Sequence, residues 1–154
     1  MNSGFNGAEI AEKIQLPAAL DQKLYAHGYY GTLKHNVKAI YQYYMGWFDA
    51  HPSNLDPLPP KAVAKKYIEL AGGENNALKN ARDAYAQADY RWAAEILKHI
   101  VLNNPQNQQA KDLLANTYRQ LGYAAEASTW RNFFLVGAQE LSLIHISEPT
   151  RQEA

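Results

Sequence analysis

Apolar residues recur along most of this chain at the spacing of a helix face, and almost nowhere at the alternation of a strand. After Asn107 they fall at Ala110, Leu113, Leu114, Thr117, Tyr118 and Leu121, the series that lines one side of a 3.6-residue helix. Ala77, Leu78, Ala81, Ala84, Tyr85 and Ala88 repeat the series, and Val37, Ile40, Tyr41, Tyr44 and Phe48 give it again with bulkier groups. The pattern predicts an all-α fold of about seven helices. Gly28, Gly72-Gly73 and Gly122 follow periodic runs and are expected to close helices. Thr32, Asp89 and Asn104 precede such runs and are expected to cap first turns, with Pro105 suited to the first helical position.

One stretch breaks the helical text. HPSNLDPLPP, from His51 to Pro60, carries four prolines, which forbid a regular helix and favour an extended strap. It divides residues 1–50, rich in tyrosine, from a helical part at 61–140. In that second part an offset of 33 residues aligns Tyr85 with Tyr118, Ala88-Asp89-Tyr90 with Leu121-Gly122-Tyr123, Ala94 with Ala127 and Leu97 with Trp130. The offset is close to the tetratricopeptide period and predicts stacked helical hairpins.

After Glu140 the text changes again. Leu141 to Arg151, LSLIHISEPTR, resembles the conceptual translation of a transposase-end sequencing adapter at every position. Residues 141–154 are therefore expected to be a non-native tail that neither continues nor caps the preceding helix. On this reading His145 carries no function, and the natural protein is cut near residue 141.

Composition narrows the function classes. The 154 residues suffice for one domain, which at this size buries roughly 68–70% of the surface of its unfolded chain. Fifteen Lys and Arg balance fifteen Asp and Glu, so no electrostatic footprint for nucleic acid or an anionic membrane exists. There is no cysteine, hence no disulfide or thiolate metal site. No apolar run approaches the twenty residues of a membrane span, and the first residues lack the pattern of a signal peptide.

Candidate chemistry is sparse. Apart from His145, the histidines are His27, His35, His51 and His99, and no two of them stand at the close spacing that seeds a zinc site. His99, on a helix, is expected to be partly buried and hydrogen-bonded, and His51, in the strap, to be exposed. Neither a G-x-S-x-G elbow nor a glycine-rich phosphate loop occurs, so the chain alone is not expected to catalyse. The exception is YYGTLKHN, where Tyr29, Tyr30, Thr32, His35 and Asn36 place five hydrogen-bonding side chains in eight residues. Such a cluster suits an anion or ester pocket, because histidine donates a proton or binds an oxyanion while tyrosine and asparagine donate without charge.

The string GYYGTLKHNVKAIYQYYMGWFD, with the NLDPLPP strap, DYRWAAEIL, LGY and WRNFFLVGAQEL after it, resembles the alkyl sulfatases over roughly residues 5–141. These are bacterial zinc hydrolases with a metallo-β-lactamase-type catalytic domain, a helical dimerisation domain and a sterol-carrier-like C-terminal domain. The resemblance implies that this chain is the end of the catalytic region followed by the dimerisation domain. It also implies a homodimer, and a full-length parent that hydrolyses alkyl sulfate esters with binuclear zinc. The zinc ligands of that family would precede Met1, so no metal or cofactor is expected here. His35 stands at the family's His-Asn pair and becomes the first candidate for the substrate pocket, with Tyr30 and Asn36 beside it. Trp92, Trp130 and Phe134 become candidates for the dimer face or the core. Lys34 stands where the family often has serine, and Ala50-His51 where Gly-Asn is common. Family members are often periplasmic or secreted, and the residues leave this chain's location open. The competing expectation is a stand-alone tetratricopeptide-like adaptor that binds peptide in a concave groove.

Overall fold

The computed structural model describes residues 4–143; the tail from residue 144, His145 included, lies outside the described residues. Among the described residues there are eight α-helices, two 3-10 turns and no strand. The helices are α1 (Gly7–Lys13), α2 (Ala18–Asp21), α3 (Leu33–Met45), α4 (Pro60–Leu70), α5 (Glu74–Ala86), α6 (Tyr90–Asn103), α7 (Gln108–Ala124) and α8 (Ser128–Leu143). The 3-10 turns are Leu24–Ala26 and Pro52–Asn54. The chain forms two compact units, the first running to Pro57 and including Glu126–Thr129, the second comprising Leu58–Ala125 and the residues from Trp130 on.

The second unit is held by small residues. Ala64, Ala81, Ala93 and Ala110 are completely buried, and among the larger aliphatic side chains of the described residues only Leu97 and Ile100 reach the same depth. Alanine at a helix crossing lets backbones approach closely, which raises packing density without bulky knobs. The series expected on α7 is its inner face: Ala110, Leu114 and Thr117 are buried, and Leu113, Tyr118 and Leu121 half-buried. Thr117 returns its hydroxyl to the Leu113 carbonyl at 2.7 Å, so its burial leaves that donor satisfied. The start of α5 is tied to the α6–α7 connection by Glu74, whose Oε1 accepts from Asn104 Nδ2 at 3.0 Å and Asn107 Nδ2 at 2.6 Å.

Helix ends follow local chemistry, with departures from the sequence reading at Asn104 and Gly122. Gly72 and Gly73 close α4 at φ +81° and +104°, and Asp89 caps α6 by accepting from Trp92 N at 3.3 Å, as the sequence implies. Asn104 does not cap the next helix. Ile100 keeps α6 in the core up to Asn103, and the cap passes to Asn107, which accepts from Ala110 N at 2.9 Å. Gly122 does not end a helix either: α7 runs through it to Ala124. A Cβ there would stand 2.9 Å from Leu135 Cδ2, so this glycine serves the close approach of α7 and α8. The end of α7 is closed by Arg131, which donates from Nε and Nη2 to the Ala125 carbonyl at 3.1 and 2.7 Å.

The extra turn of α7 also ends the 33-residue register. α8 begins at Ser128, where that period counted from Tyr90 would begin it at Tyr123. Antiparallel hairpins α5/α6 and α7/α8 still form, the latter with Tyr118 against Phe134 and Gly137. Leu141–Leu143 continue α8, against the expectation of a break at Leu141. Leu141 packs on the core and Ser142 Oγ donates to the Ala138 carbonyl at 2.9 Å. Helix propagation costs little once nucleated, and no breaker precedes Pro149.

His99 departs from expectation in another way. It is buried on α6, stacked on Tyr67 of α4 at 4.3 Å between ring centres, and neither ring nitrogen makes a hydrogen bond. Glu95 Oε1 lies 3.3 Å from Nε2 with poor alignment and is engaged by Lys98 at 2.7 Å. Burial, and then the Lys98 charge, lower its pKa below the ordinary 6.5, against the opposing pull of Glu95. The folded state therefore binds this proton more weakly than the unfolded chain. Stability from the neutral ring is complete above pH 6.5 and is lost as pH falls through the lowered value. His99→Phe keeps the stack and removes two unsatisfied nitrogens. Urea unfolding is expected to show it equal to wild type or up to about 1 kcal/mol more stable at pH 7, with a shallower loss of stability on acidification. A variant that lost stability at both pH values would contradict this account.

Candidate functional site

The first unit has a thin core. Ala11 of α1, Val37 of α3 and Ala127 are its buried apolar residues among those described. Asn6 caps α1 in a capping box with Glu9, accepting from Ala8 N and Glu9 N at 3.0 Å each while Glu9 Oε2 accepts from Asn6 N at 2.8 Å. Lys34 on α3 pairs with Glu12 on α1 at 2.7 Å. Gly7 lies flat against Tyr41, where a Cβ would come within 3.2 Å of the ring. Beyond that line of contact the periodic face of α3 is uncovered: Ile40 and Tyr44 are exposed, with Tyr43, Met45 and Trp47 beside them. One short helix cannot cover a stripe of bulky groups.

The YYGTLKHN segment sits at the start of α3. Thr32 caps the helix by accepting from His35 N at 2.8 Å, so Leu33 begins it and His35 and Asn36 complete its first turn. Tyr30, His35 and Asn36 are all exposed at this end, Tyr30 at 78%. A helix start carries partial positive charge, and the hydrogen-bonding side chains of Tyr30, His35 and Asn36 exposed there suit an anionic group. Gly28 does not close a helix in a left-handed conformation. A Cβ on it would stand 2.7 Å from the Gly31 carbonyl oxygen, and the tight return of the chain over residues 28–31 requires its absence.

His27 and the segment Glu126–Thr129 hold this turn. His27 Nδ1 lies 2.7 Å from Glu126 Oε1, and Nε2 lies 2.9 Å from the Asp21 carbonyl. Its ring stacks on Tyr29 at 5.7 Å and 16°. Ser128 N donates to the Tyr29 carbonyl at 2.7 Å, and Thr129 Oγ1 to the Tyr30 carbonyl at 2.6 Å. The hydrogen bond to Glu126, then that to Asp21, raise the His27 pKa above its ordinary 6.5. The histidine is visible in the sequence. Its partner lies 99 residues away with no local signal.

The other candidates separate. Trp92 is half exposed on the rim of a groove of about 310 Å³ in the second unit, with Tyr67, Leu70, Ile96 and His99 among its lining. Trp130 and Phe134 are half-buried, Phe134 against Tyr118 at 6.1 Å. Phe133 and Tyr123, which sequence reasoning passed over, are more exposed at 85% and 68%. His51 is exposed, its Nδ1 accepting from Ser53 N at 3.2 Å. Asp49 accepts from His51 N and Asn54 Nδ2, bonds that lower its pKa. Among the described residues no group of three or more His, Asp or Glu is placed to hold a metal ion.

Residues 6–143 match the family described as alkyl sulfatase dimerisation. The chain belongs to this family. It is 50% identical over 141 residues to the alkyl/aryl-sulfatase BDS1 of Saccharomyces cerevisiae, covering 92% of this chain and 22% of that protein. A linear primary-alkylsulfatase of a Pseudomonas species is 49% identical over 140 residues, with 91% and 21% covered. The solved structure of the stereoselective inverting sec-alkylsulfatase Pisa1 from Pseudomonas superposes with a TM-score of 0.89 at 44% identity, over 92% of this chain and 22% of that one. The chain thus spans about a fifth of the length of these relatives. Within this dimerisation domain Ala50 takes φ +64°, a left-handed conformation that glycine adopts without a Cβ penalty. Its last described helix lies inside the family match, including Leu141–Leu143.

Proposed function

We propose that this chain is the dimerising part of an alkyl sulfatase, and that it also supplies one wall of the substrate pocket. The observation that carries the first half is the surface of the second unit, where Tyr67, Trp92, Tyr123 and Phe133 stand exposed around a core of alanine and a few Leu and Ile side chains. Aromatic rings each bury 150–250 Å² when covered and dominate contact energies. A second copy related by a two-fold axis is the covering surface that a dimerisation domain implies. Trp92 belongs to this surface. Trp130 and Phe134, half-buried, contribute mainly to the core.

The pocket wall is Tyr30, His35 and Asn36 at the start of α3, acting on the sulfate of an alkyl sulfate ester in the full-length enzyme. His35 is the group suited to neutralise an oxyanion, and Tyr30 and Asn36 the groups that orient it without charge. Zinc bound elsewhere in the parent would supply the activation of the attacking group. The residues described here do not form a site for it, so the chain is proposed to be inactive by itself. A second reading, a tetratricopeptide-like peptide adaptor, has the groove beside Trp92 in its favour.

Sedimentation equilibrium separates the two. The dimer reading predicts a stable species of twice the 17.3 kDa chain mass at micromolar concentration, and a monomer that captures extended peptides would overturn it. The pocket wall is tested by His35→Ala in the full-length enzyme, with turnover of alkyl sulfate expected to fall about 10²-fold. Unchanged turnover would remove His35 from the site.

A further inference from the structure

The turn that presents Tyr30 is closed by a ring whose two nitrogens both face oxygen acceptors. His27 Nδ1 is 2.7 Å from the Glu126 carboxylate and Nε2 is 2.9 Å from the Asp21 carbonyl. A neutral imidazole has one N–H and one lone pair, so it satisfies only one of these contacts and sets a lone pair against an oxygen at the other. An imidazolium donates to both. The charged groups acting on the ring are the carboxylates of Glu126 and Asp21, and both favour the proton. The Tyr29 ring stacked beside it offers a further surface to a cation.

We infer that His27 is carried as an imidazolium and acts as a positioning residue: its charge latches the Gly28–Gly31 turn to Glu126–Thr129, and so sets where Tyr30 and the start of α3 stand. The inference rests on the pocket-wall reading for its consequence and on the ring geometry alone for its substance. The latch has three strands. The charged pair joins His27 to Glu126, the Ser128 amide holds the Tyr29 carbonyl, and the Thr129 hydroxyl holds the Tyr30 carbonyl. Gly28 permits this turn, because a Cβ there would stand 2.7 Å from the Gly31 carbonyl oxygen. Loss of the His27 proton removes a donor from one side of the ring and loosens the other two strands with it. The pair is partly exposed, at 33% and 53% of the two side chains, so salt weakens it as well.

Long-range proton–nitrogen NMR of the chain from pH 5 to 9 tests the latch. Both ring nitrogens of His27 are expected to be protonated at pH 7, with a titration midpoint above the ordinary value of about 6.5. Glu126→Gln is expected to bring that midpoint back towards 6.5 and to speed exchange of the Ser128 amide about tenfold at pH 7, while amides of α5 to α7 keep their rates. A neutral His27 at pH 7, or a midpoint and a Ser128 amide indifferent to Glu126→Gln, would overturn the inference. Because these readouts come from the chain itself and the pocket reading is judged by turnover of the His35 variant, either can fail while the other stands.

Discussion

The second unit depends on how closely alanine lets helices approach. With Ala64, Ala81, Ala93 and Ala110 at the crossings, α4 to α7 come together around two fully buried large aliphatic residues, Leu97 and Ile100. Close packing recovers dispersion energy that small side chains lack in transferable area, and it leaves little interior room for rings. The rings of Tyr67, Trp92, Tyr123 and Phe133 stay outside. At roughly 25 cal/mol per Å², covering the exposed half of a tryptophan or tyrosine is worth about 2 kcal/mol, a strong drive towards association for a surface that carries several. An interior of alanine and an exterior of aromatics are two sides of one packing solution, and they suit a domain whose task is to hold another surface.

The first unit obeys a different constraint. Its few buried apolar groups are supplemented by polar closures: the capping box at Asn6, the Lys34–Glu12 pair, the Thr32 cap and the His27 contacts. Each such closure is directional, so the result is a defined presentation of side chains at the start of α3 rather than a deep core. The uncovered rings of Tyr43, Tyr44 and Trp47 mark α3 as a surface awaiting a neighbour. The proposed pocket wall on this unit would take its geometry from hydrogen bonds, and for that reason would respond to protons and salt.

Legibility from sequence tracked the range of the interactions. The α5 and α7 faces, the Gly72-Gly73 stop and the Asp89 and Thr32 caps are decided within a turn of chain, and the residues alone imply them. Gly122 reads as a stop until Leu135 is seen against it, since a glycine has the same letter whether it frees φ or admits a neighbour. Asn104 and Asn107 are equally good caps, and the choice falls to the core contacts of Ile100. The Val37–Phe48 stripe predicts a helix correctly but leaves open how much of it is covered, because periodicity states which face is apolar and not whether anything packs on it. The same holds for the site. YYGTLKHN announces itself by density of polar groups, whereas Glu126, which closes the turn, is 99 residues distant and chemically unremarked.

The account stands on the claim that the outward aromatics of the second unit are the surface where two copies meet. Hydroxyl-radical footprinting of the chain above and below its association range addresses that claim directly. It predicts that modification of Trp92, and of Phe133 or Tyr123 on α8 and α7, falls several-fold as the assembly forms, while half-buried Trp130 stays constant. Association that left all three exposed aromatics equally reactive would contradict it.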